Sequence, residues 1–451
     1  MSWKSPMHYS KQELINATKA RCIGDFDSVN KICIDSRDAV SGSLFIAMQG
    51  ENAHGNDYAK EAIKSGASVV MTDKELEECS VPQLIVKDSL KALPDLARYH
   101  RDQLKGKVVG ITGSVGKTST RHGLTHALKG QCKVYASEKS YNNHVGLPLS
   151  LVNAPKNADV VICEVGTNHP GEITFLSDIL RPDVAIITKI APAHIGNFGS
   201  VEKIAKEKAC IYSNAHIAIY PAGEFEAYFQ KACSKKQMLY KVEAPSSLEK
   251  QDDTIKLSGL ICGKPVEYSV PSLSVAWAEN SLTVLTAVHA LEFDINKAIE
   301  ALCSTCVLEG RGACFLAKIG EKKITVIDDS YNANPTSMVA ALDTLKQHEG
   351  RKIAVIGSML ELGDLSDKYH LDILQKVKSM EDTYVLVCGS AFKKIITAVD
   401  GTRVIGSVST FDQVMPILVG FISDGDTVLF KASNSISLHK VVNSLQRVVG
   451  V

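Results

Sequence analysis

A glycine-rich stretch directly after an apolar run constrains this chain more than any other feature. The sequence from Val108 to Thr118, VVGITGSVGKT, reads as a β-strand, a tight loop and the start of a helix. Small residues let backbone N–H groups point inward around an anion, the lysine adds a positive charge, and the threonine hydroxyl is suited to Mg²⁺. The strict phosphate-loop pattern has glycine at the position of Ile111, so this loop is a variant, and a chance glycine-rich turn is the weaker alternative. The predicted contacts with a nucleoside triphosphate are Gly113, Ser114, Val115, Gly116, Lys117, Thr118 and Ser119.

Apolar runs divide the chain into three α/β segments. The first has short strands between helical stretches, whereas the second has near-continuous apolar runs such as Asp159–Val165 and Val184–Thr188. Such runs are typical of a parallel sheet covered on both faces. Residues 240–272 are more polar, which favours hairpins at a domain edge. We predict an α/β fold of three domains, with a central parallel-sheet phosphate-loop ATPase domain flanked by two smaller α/β domains. The predicted boundaries are 1–105, 106–308 and 309–451.

Composition excludes several classes of function. Lys plus Arg and Asp plus Glu both number 50, so no basic excess is present to hold nucleic acid or an anionic membrane. The sequence contains no run of 18 apolar residues, and the polar Met1–Tyr9 lacks the core of a signal peptide. Many of the twelve cysteines, such as Cys163 and Cys388, lie in apolar runs, which favours reduced thiols over a disulfide framework. We therefore expect a cytoplasmic protein with no membrane span and no nucleic-acid partner.

Two side chains that could bind a metal ion follow neighbouring strands. Glu164 ends the apolar run that starts at Val160, and His194 follows the next predicted strand. Because parallel strands deliver their carboxyl ends to one sheet edge, both residues should lie near the phosphate loop. A lone glutamate or histidine is usually a surface group, but two of them beside a phosphate loop favour a metal site.

One lysine breaks the pattern of the helix that follows His194. Val201, Ile204 and Ile211 form a helical stripe, and Lys208 falls on it, whereas Lys206 does not. Lys208 could snorkel to water. Alternatively, a desolvated, partly neutral amine could react with carbon dioxide, and the resulting carbamate could hold a second Mg²⁺.

Taken together, the motifs resemble those of the Mur ligases, in the same order and over essentially the whole chain. Two segments, 329–335 (DSYNANP) and 359–363 (MLELG), are similar to members of that family that act on UDP-N-acetylmuramoyl-tripeptide and D-alanyl-D-alanine. The resemblance rests on residues 113–118 (GSVGKT), 141–144 (YNNH), 164–168 (EVGTN), 193–194 (AH), Lys208, 309–311 (EGR) and 328–335 (DDSYNANP).

The resemblance implies an ATP-dependent ligase that forms an amide bond through an acyl-phosphate. In that reaction a substrate carboxylate meets the phosphates of ATP, and both are anions. Lys117 and two Mg²⁺ ions would supply the positive charge that this encounter needs. By motif position, Thr118 and Glu164 would hold the first ion, and His194 with carbamylated Lys208 the second. The other implied catalytic residues are Asn143 near the phosphates and Arg311, which would reach the γ-phosphate from the third domain.

The resemblance also assigns contacts to the two nucleotides. Asn280 would lie beside adenine, although Glu279 stands where the family usually has histidine. The segment 431–435 resembles one near the incoming amine, with Ala432 in place of the usual glycine. The remaining assignments are Asp329, Asn332 and Asn334 for the ATP nucleoside and Asp35, Ser36 and Arg37 for the UDP substrate.

Two other functions remain open at this point. A sister ligase, such as the one that adds the third amino acid or a folylpolyglutamate synthase, would share the mechanism. A nucleotide-dependent switch would hydrolyse ATP slowly and independently of any amine, but it leaves the acids and Lys208 unexplained. The sequence does not distinguish diaminopimelate from lysine in the tripeptide, and we expect a monomer.

Overall fold

The computed structural model describes residues 8–50, 53–137, 140–304, 307–393, 395–396, 399, 401 and 403–448. Three α/β regions follow one another along the chain, and the predicted three-domain α/β architecture with a central parallel sheet is confirmed. The predicted domain boundaries stay predictions. Within the described ranges, no helix combines the length and apolarity needed to cross a bilayer.

The first region is built on a five-stranded sheet of order β2-β7-β6-β5-β4, parallel except for the β2–β7 pair, with β1 and β3 paired separately. Its strands are β1 (Tyr9–Ser10), β2 (Arg21–Ile23), β3 (Ser28–Val29), β4 (Lys31–Cys33), β5 (Ser43–Ile46), β6 (Ala67–Thr72) and β7 (Gln83–Ile85). Its helices are α1 (Lys11–Thr18), α2 (Ala59–Ser65) and α3 (Ser89–Gln103), with 3₁₀ turns at Ser36–Asp38 and Gly55–Tyr58.

The central region has a six-stranded, wholly parallel sheet of order β13-β12-β11-β8-β10-β9 and a separate antiparallel sheet β14-β15-β16. Its strands are β8 (Lys107–Thr112), β9 (Val134–Ala136), β10 (Val160–Glu164), β11 (Val184–Ile187), β12 (Ile217–Pro221), β13 (Met238–Val242), β14 (Ser247–Gln251), β15 (Thr254–Ile261) and β16 (Lys264–Val270). Its helices are α4 (Lys117–Leu128), α5 (Gly146–Val152), α6 (Glu172–Leu180), α7 (Ile195–Phe198), α8 (Val201–Ala209), α9 (Glu226–Ala232), α10 (Val275–Ala290) and α11 (Ile295–Cys303), with a 3₁₀ turn at Cys210–Asn214.

The near-continuous apolar strands of the central sheet are explained by cover on both faces. Val108 and Val109 are both fully buried, but they point into two different apolar cores. Alternate residues of a strand face opposite sides of the sheet, so both faces of β8 are packed. The hairpins predicted within residues 240–272 are also present, as β14–β16.

The third region has a seven-stranded mixed sheet of order β21-β20-β19-β22-β18-β17-β23, in which the pairs made by β17 are antiparallel. Its strands are β17 (Ala313–Ile319), β18 (Lys322–Asp328), β19 (Lys352–Gly357), β20 (Thr383–Cys388), β21 (Val404–Val408), β22 (Thr427–Lys431) and β23 (Gln446–Arg447). Its helices are α12 (Pro335–Lys346), α13 (Ser366–Lys378), α14 (Ser390–Lys393), α15 (Val414–Phe421) and α16 (Leu438–Asn443), with 3₁₀ turns at Gly363–Leu365, Phe411–Gln413 and Asn434–Ile436.

A buried polar network joins the first region to the central one. The Tyr9 hydroxyl lies 2.5 Å from His100 Nδ1 and 3.0 Å from the Val152 carbonyl oxygen, and His100 Nε2 lies 2.8 Å from the Ala154 carbonyl oxygen. His100 is fully buried, and burial lowers its pKa to about 4. The imidazole is therefore neutral at physiological pH and donates to Ala154 through Nε2.

A second pair of hydrogen bonds fixes the same two regions. Asn153 at the end of α5 accepts from the Ile32 N–H and donates to the Ile32 carbonyl, both at 3.0 Å. The amide thereby satisfies both polar groups of one residue of β4. We call the contacts of Tyr9, His100 and Asn153 the first junction.

Candidate active site

The phosphate loop lies between β8 and α4, at the carboxyl edge of the central sheet. Gly116 has φ of +89°, and a Cβ there would lie 2.6 Å from Asn280 Oδ1. A Cβ at Gly113 would collide with the Thr188 hydroxyl. Both positions therefore require glycine. The structure also places Asn280, one of the predicted nucleotide contacts, directly against the loop.

Lys117 turns back over the loop at the first position of α4. Its Nζ donates to the Gly113 carbonyl at 2.6 Å. Burial lowers its pKa to about 8; Glu164 opposes this shift and the positive charge of Arg311 adds to it. A cation that is poorly solvated and near another cation favours an anionic partner, as a phosphate-binding lysine should.

Oxygen ligands suited to Mg²⁺ meet at the next residue of α4. Thr118 Oγ1 lies 3.1 Å from Glu164 Oε2, and Glu164 is fully buried at the end of β10. Arg121 Nε pairs with Glu164 Oε1 at 2.7 Å. A hydroxyl and a carboxylate are hard oxygen ligands, so this pair fits a magnesium ion. The predicted neighbourhood of Thr118 and Glu164 is confirmed; their role as ligands stays a prediction.

The predicted partners of the second ion lie on the loop and helix that follow β11. His194 lines the same cavity as the phosphate loop and has φ of +56°. Burial lowers the pKa of His194, the Glu361 carboxylate opposes this, and Lys117 and Lys208 lower it further. The structure therefore brings His194 into the electrostatic neighbourhood of both lysines.

Burial decides between the two interpretations of Lys208. Only 3% of the residue is exposed, whereas Lys206 is exposed, so the side chain does not snorkel to water. Burial lowers the pKa of Lys208 well below its usual value and the charge of Lys117 adds to this, while Glu207 opposes it. A neutral amine is the form that reacts with carbon dioxide, so the site fits a carbamate.

The third region contributes an arginine to the phosphate loop. Arg311 Nη2 donates to Thr118 Oγ1 at 2.9 Å, and its guanidinium carbon lies 4.0 Å from the centre of the Tyr331 ring. The ring holds the planar group by a cation–π contact. This is where the prediction of a third-domain arginine near the γ-phosphate would place it.

An ion pair of the third region also lines this cavity. Lys431 Nζ pairs with Asp329 Oδ2 at 2.7 Å and donates to the Asn332 carbonyl at 2.9 Å. Burial raises the pKa of Asp329, and the charge of Lys431 opposes this. Asn334 caps α12, where its Oδ1 accepts from the Ser337 N–H at 2.9 Å. Asp329, Asn332 and Asn334 thus share one wall, as the nucleoside assignment requires.

These groups enclose a cavity of about 610 Å³ between the central and third regions. That volume lies within the usual range for sites that bind small molecules. Asn142, rather than the predicted Asn143, reaches its wall: Asn143 is exposed, and its Oδ1 accepts from the Gly146 N–H at 2.8 Å. The predicted residues in the wall are Ser114, Val115, Gly116, Lys117, Thr118, Ser119, Glu164, His194, Asn280, Arg311, Asp329, Asn332 and Asn334.

Glu279, which precedes Asn280 on α10, has a local partner. Its carboxylate pairs with Lys189 at 3.1 Å, and both residues line the cavity. An acid therefore occupies the position where the family usually has histidine, and a lysine neutralises it there.

The residues predicted for the UDP substrate lie in the first region. Asp35 accepts from the Arg37 N–H at 3.0 Å and pairs with the Arg37 guanidinium at 2.6 Å. Ser36 donates to Glu61 at 3.0 Å. The motif thus forms a 3₁₀ turn after β4, and its substrate role stays a prediction.

Sequence reasoning missed two charged residues of the site. Arg121 lies three residues after Thr118 on α4, and that spacing places both on the helix face toward Glu164. Glu361 contacts His194 from the third region. The spacing on α4 was a readable signal for Arg121, whereas a contact between distant loops leaves no periodic signal.

Comparison with protein families matches three parts of the chain. Residues 28–101 match the Mur ligase family catalytic domain, residues 111–288 the Mur ligase middle domain, and residues 316–434 the Mur ligase glutamate ligase domain.

Individual relatives extend over nearly the whole chain. A UDP-N-acetylmuramoyl-tripeptide–D-alanyl-D-alanine ligase of Rickettsia prowazekii is 32% identical over 92% of this chain and 95% of its own length. The ligase of the same name from Bacillus subtilis is 29% identical over 96% of each chain. A crystal structure of MurF from Acinetobacter baumannii has a TM-score of 0.86 and 26% identity, covering 97% of this chain and 98% of that one.

Proposed function

This chain belongs to the Mur ligase family, and we propose that it joins D-alanyl-D-alanine to UDP-N-acetylmuramoyl-tripeptide at the expense of ATP. The reaction belongs to the synthesis of peptidoglycan precursors. The terminal carboxylate of the tripeptide attacks the γ-phosphorus of ATP, and ADP leaves. The amine of the dipeptide then attacks the acyl carbon, a C–N bond forms, the C–O bond to phosphate breaks, and inorganic phosphate leaves.

One observation carries this proposal at the level of geometry. Arg311 of the third region donates to Thr118 of the phosphate loop, so cationic groups from two regions converge on one point. A carboxylate and a triphosphate repel each other, and closely placed positive groups lower the energy of the transition state in which they meet. We assign Lys117 and Arg311 to this task.

The same site contains residues suited to two magnesium ions. Thr118 and Glu164 would hold one ion, and His194 with a carbamylated Lys208 the other. When bound, such ions neutralise phosphate charge and orient the attacking and leaving oxygens. Carbamylation would turn a buried, neutral amine into an anionic oxygen ligand of the type that Mg²⁺ prefers.

The nucleotides would occupy different regions. The ATP nucleoside would contact Asn280, Asp329, Asn332 and Asn334, and the phosphates would lie near residues 113–119. The UDP end of the substrate would lie against Asp35, Ser36 and Arg37. We further propose a monomer that acts in the cytoplasm, where ATP is supplied, and sedimentation of the purified protein tests its oligomeric state.

A coupled assay tests the function directly. Purified UDP-linked tripeptides that end in diaminopimelate or in lysine are each combined with ATP, Mg²⁺ and D-alanyl-D-alanine, and phosphate release and the UDP-linked product are measured. We expect phosphate release that depends on both substrates. Acceptance of a single amino acid in place of the dipeptide would point to a sister ligase, and hydrolysis that ignores the acceptor would point to a nucleotide switch.

A further inference from the structure

One contact between the central and third regions involves a predicted metal ligand, His194. His194 Nδ1 and the Glu361 carboxylate are in direct contact across the boundary. The two residues have φ of +56° and +62°, a conformation that non-glycine residues adopt rarely because it is strained. Two such residues in direct contact indicate that the surrounding structure fixes this pair.

The backbones meet at the same place. The Gly196 N–H donates to the Glu361 carbonyl at 3.1 Å. A Cβ at Gly196 would lie 2.9 Å from the Gly363 nitrogen, so the two backbone segments approach as closely as glycine permits. The loop after β11 is therefore held against the loop after β19.

Apolar packing extends the contact along the central chain. Ile195, Phe198 and Ile204 are at most 6% exposed and belong to the same apolar core as Met359 and Leu362 of the third region. Those three residues lie between His194 and Lys208. The segment that carries both predicted ligands of the second ion is thus packed into the third region.

We propose that Glu361 is a positioning residue that holds the His194 imidazole by its Nδ1, so that docking of the third region assembles the second magnesium site. This inference rests on the proposed function. A histidine that binds a metal through one nitrogen commonly gives the other to a carboxylate, which fixes the ring orientation and raises its basicity. Here that carboxylate comes from a different region, so the affinity for the metal ion depends on docking of the third region against the central one.

The test compares Glu361→Ala and Glu361→Gln with Asp364→Asn, an exposed acid of the adjoining 3₁₀ turn. Binding of Mn²⁺ to the ADP-loaded protein is followed by electron paramagnetic resonance, and the Mg²⁺ dependence of phosphate release is measured in parallel. Loss of such a carboxylate weakens metal binding by about 10–100-fold. We expect that loss for the weaker Mn²⁺ site in Glu361→Ala, a smaller loss in Glu361→Gln, and none in Asp364→Asn.

Activity should follow the same order, with the Mg²⁺ requirement raised and the KM for the UDP substrate unchanged. Unaltered Mn²⁺ binding in folded Glu361→Ala or Glu361→Gln protein would overturn the inference and leave Glu361 as a contact between regions. If the wild-type protein forms no amide product, the proposed function fails, yet the Mn²⁺ titration still decides the role of Glu361.

Discussion

The two boundaries of the central region are built from different chemistry. At the first junction, a buried neutral imidazole, a buried phenol and a part-buried amide are bonded to backbone groups. At the boundary with the third region, which we call the second junction, charged side chains such as Arg311, Asp329 and Lys431 surround a cavity of about 610 Å³. Breaking buried neutral hydrogen bonds costs about 1–3 kcal/mol each, whereas charges around an open cavity can exchange protein partners for ligand. The first junction therefore fixes two regions together, and the second is suited to respond to substrates.

Removing the phosphate-loop lysine should have the largest effect on the second junction. We expect Lys117→Ala to abolish product formation with the fold intact, because a lysine that faces a cavity contributes little to a core. Phosphate release and circular dichroism measure the two properties. Lys107→Ala, an exposed lysine of β8, is the matched control. Near-normal turnover in folded Lys117→Ala protein would refute the phosphate-loop assignment.

Removing the buried lysine of α8 should inactivate the enzyme in a way that can be reversed in part. Lys208→Ala loses the proposed carbamate, and we expect a short carboxylate such as acetate to restore some activity by supplying an oxygen ligand. The control is Lys206→Ala, which is exposed on the same helix and should be nearly silent. The carbamate proposal fails if Lys206 proves essential and Lys208 dispensable.

A milder change at the second junction should separate catalysis from binding. Arg311→Ala removes the guanidinium that reaches Thr118, and we expect kcat to fall about a hundredfold or more. Affinity for the UDP substrate, measured by calorimetry, should barely change, because that ligand is assigned to the first region. Arg311→Lys keeps the charge without the planar fork, so its kcat should lie between those of the wild-type protein and Arg311→Ala. Weakened binding of the UDP substrate at unchanged kcat would count against this geometry.

The first junction should affect stability rather than turnover. The pKa of His100 is about 4 in the folded protein and near 6.5 when the side chain is solvated. As the pH falls from 6.5 to 4, the unfolded chain gains a proton that the folded one does not, so the free energy of unfolding should drop by about 3 kcal/mol from this residue. Urea unfolding at a series of pH values measures the slope.

His100→Gln should reduce that slope while kcat at pH 7.5 stays unchanged. The exposed His8→Gln serves as the control for loss of a histidine. An equal slope in wild-type and His100→Gln protein would show that the network is not the acid-sensitive element. A large fall in the kcat of His100→Gln would contradict the expectation that the first junction affects stability and not turnover.

The sequence predicts the parts of the site that local patterns encode. Periodicity placed Lys208 on a buried stripe, and strand ends placed Glu164 and His194 at one sheet edge, as the structure confirms. Loops have no period that could decide whether Asn142 or Asn143 faces the cavity. Contacts between distant loops, such as His194 with Glu361, depend on how the regions pack and leave no signal in either segment alone.

The close approach of Gly196 and Gly363 provides a marker that can be read in other sequences. Any side chain at position 196 would press on the backbone at 363, and a Cβ at 363 would lie 2.9 Å from the Gly196 Cα. A homologous chain with a larger residue at either position must therefore seat its third region farther away or at another angle. The residue types at positions 196 and 363 in an alignment would thus predict how tightly the regions of each relative pack at this boundary, before any of their structures is solved.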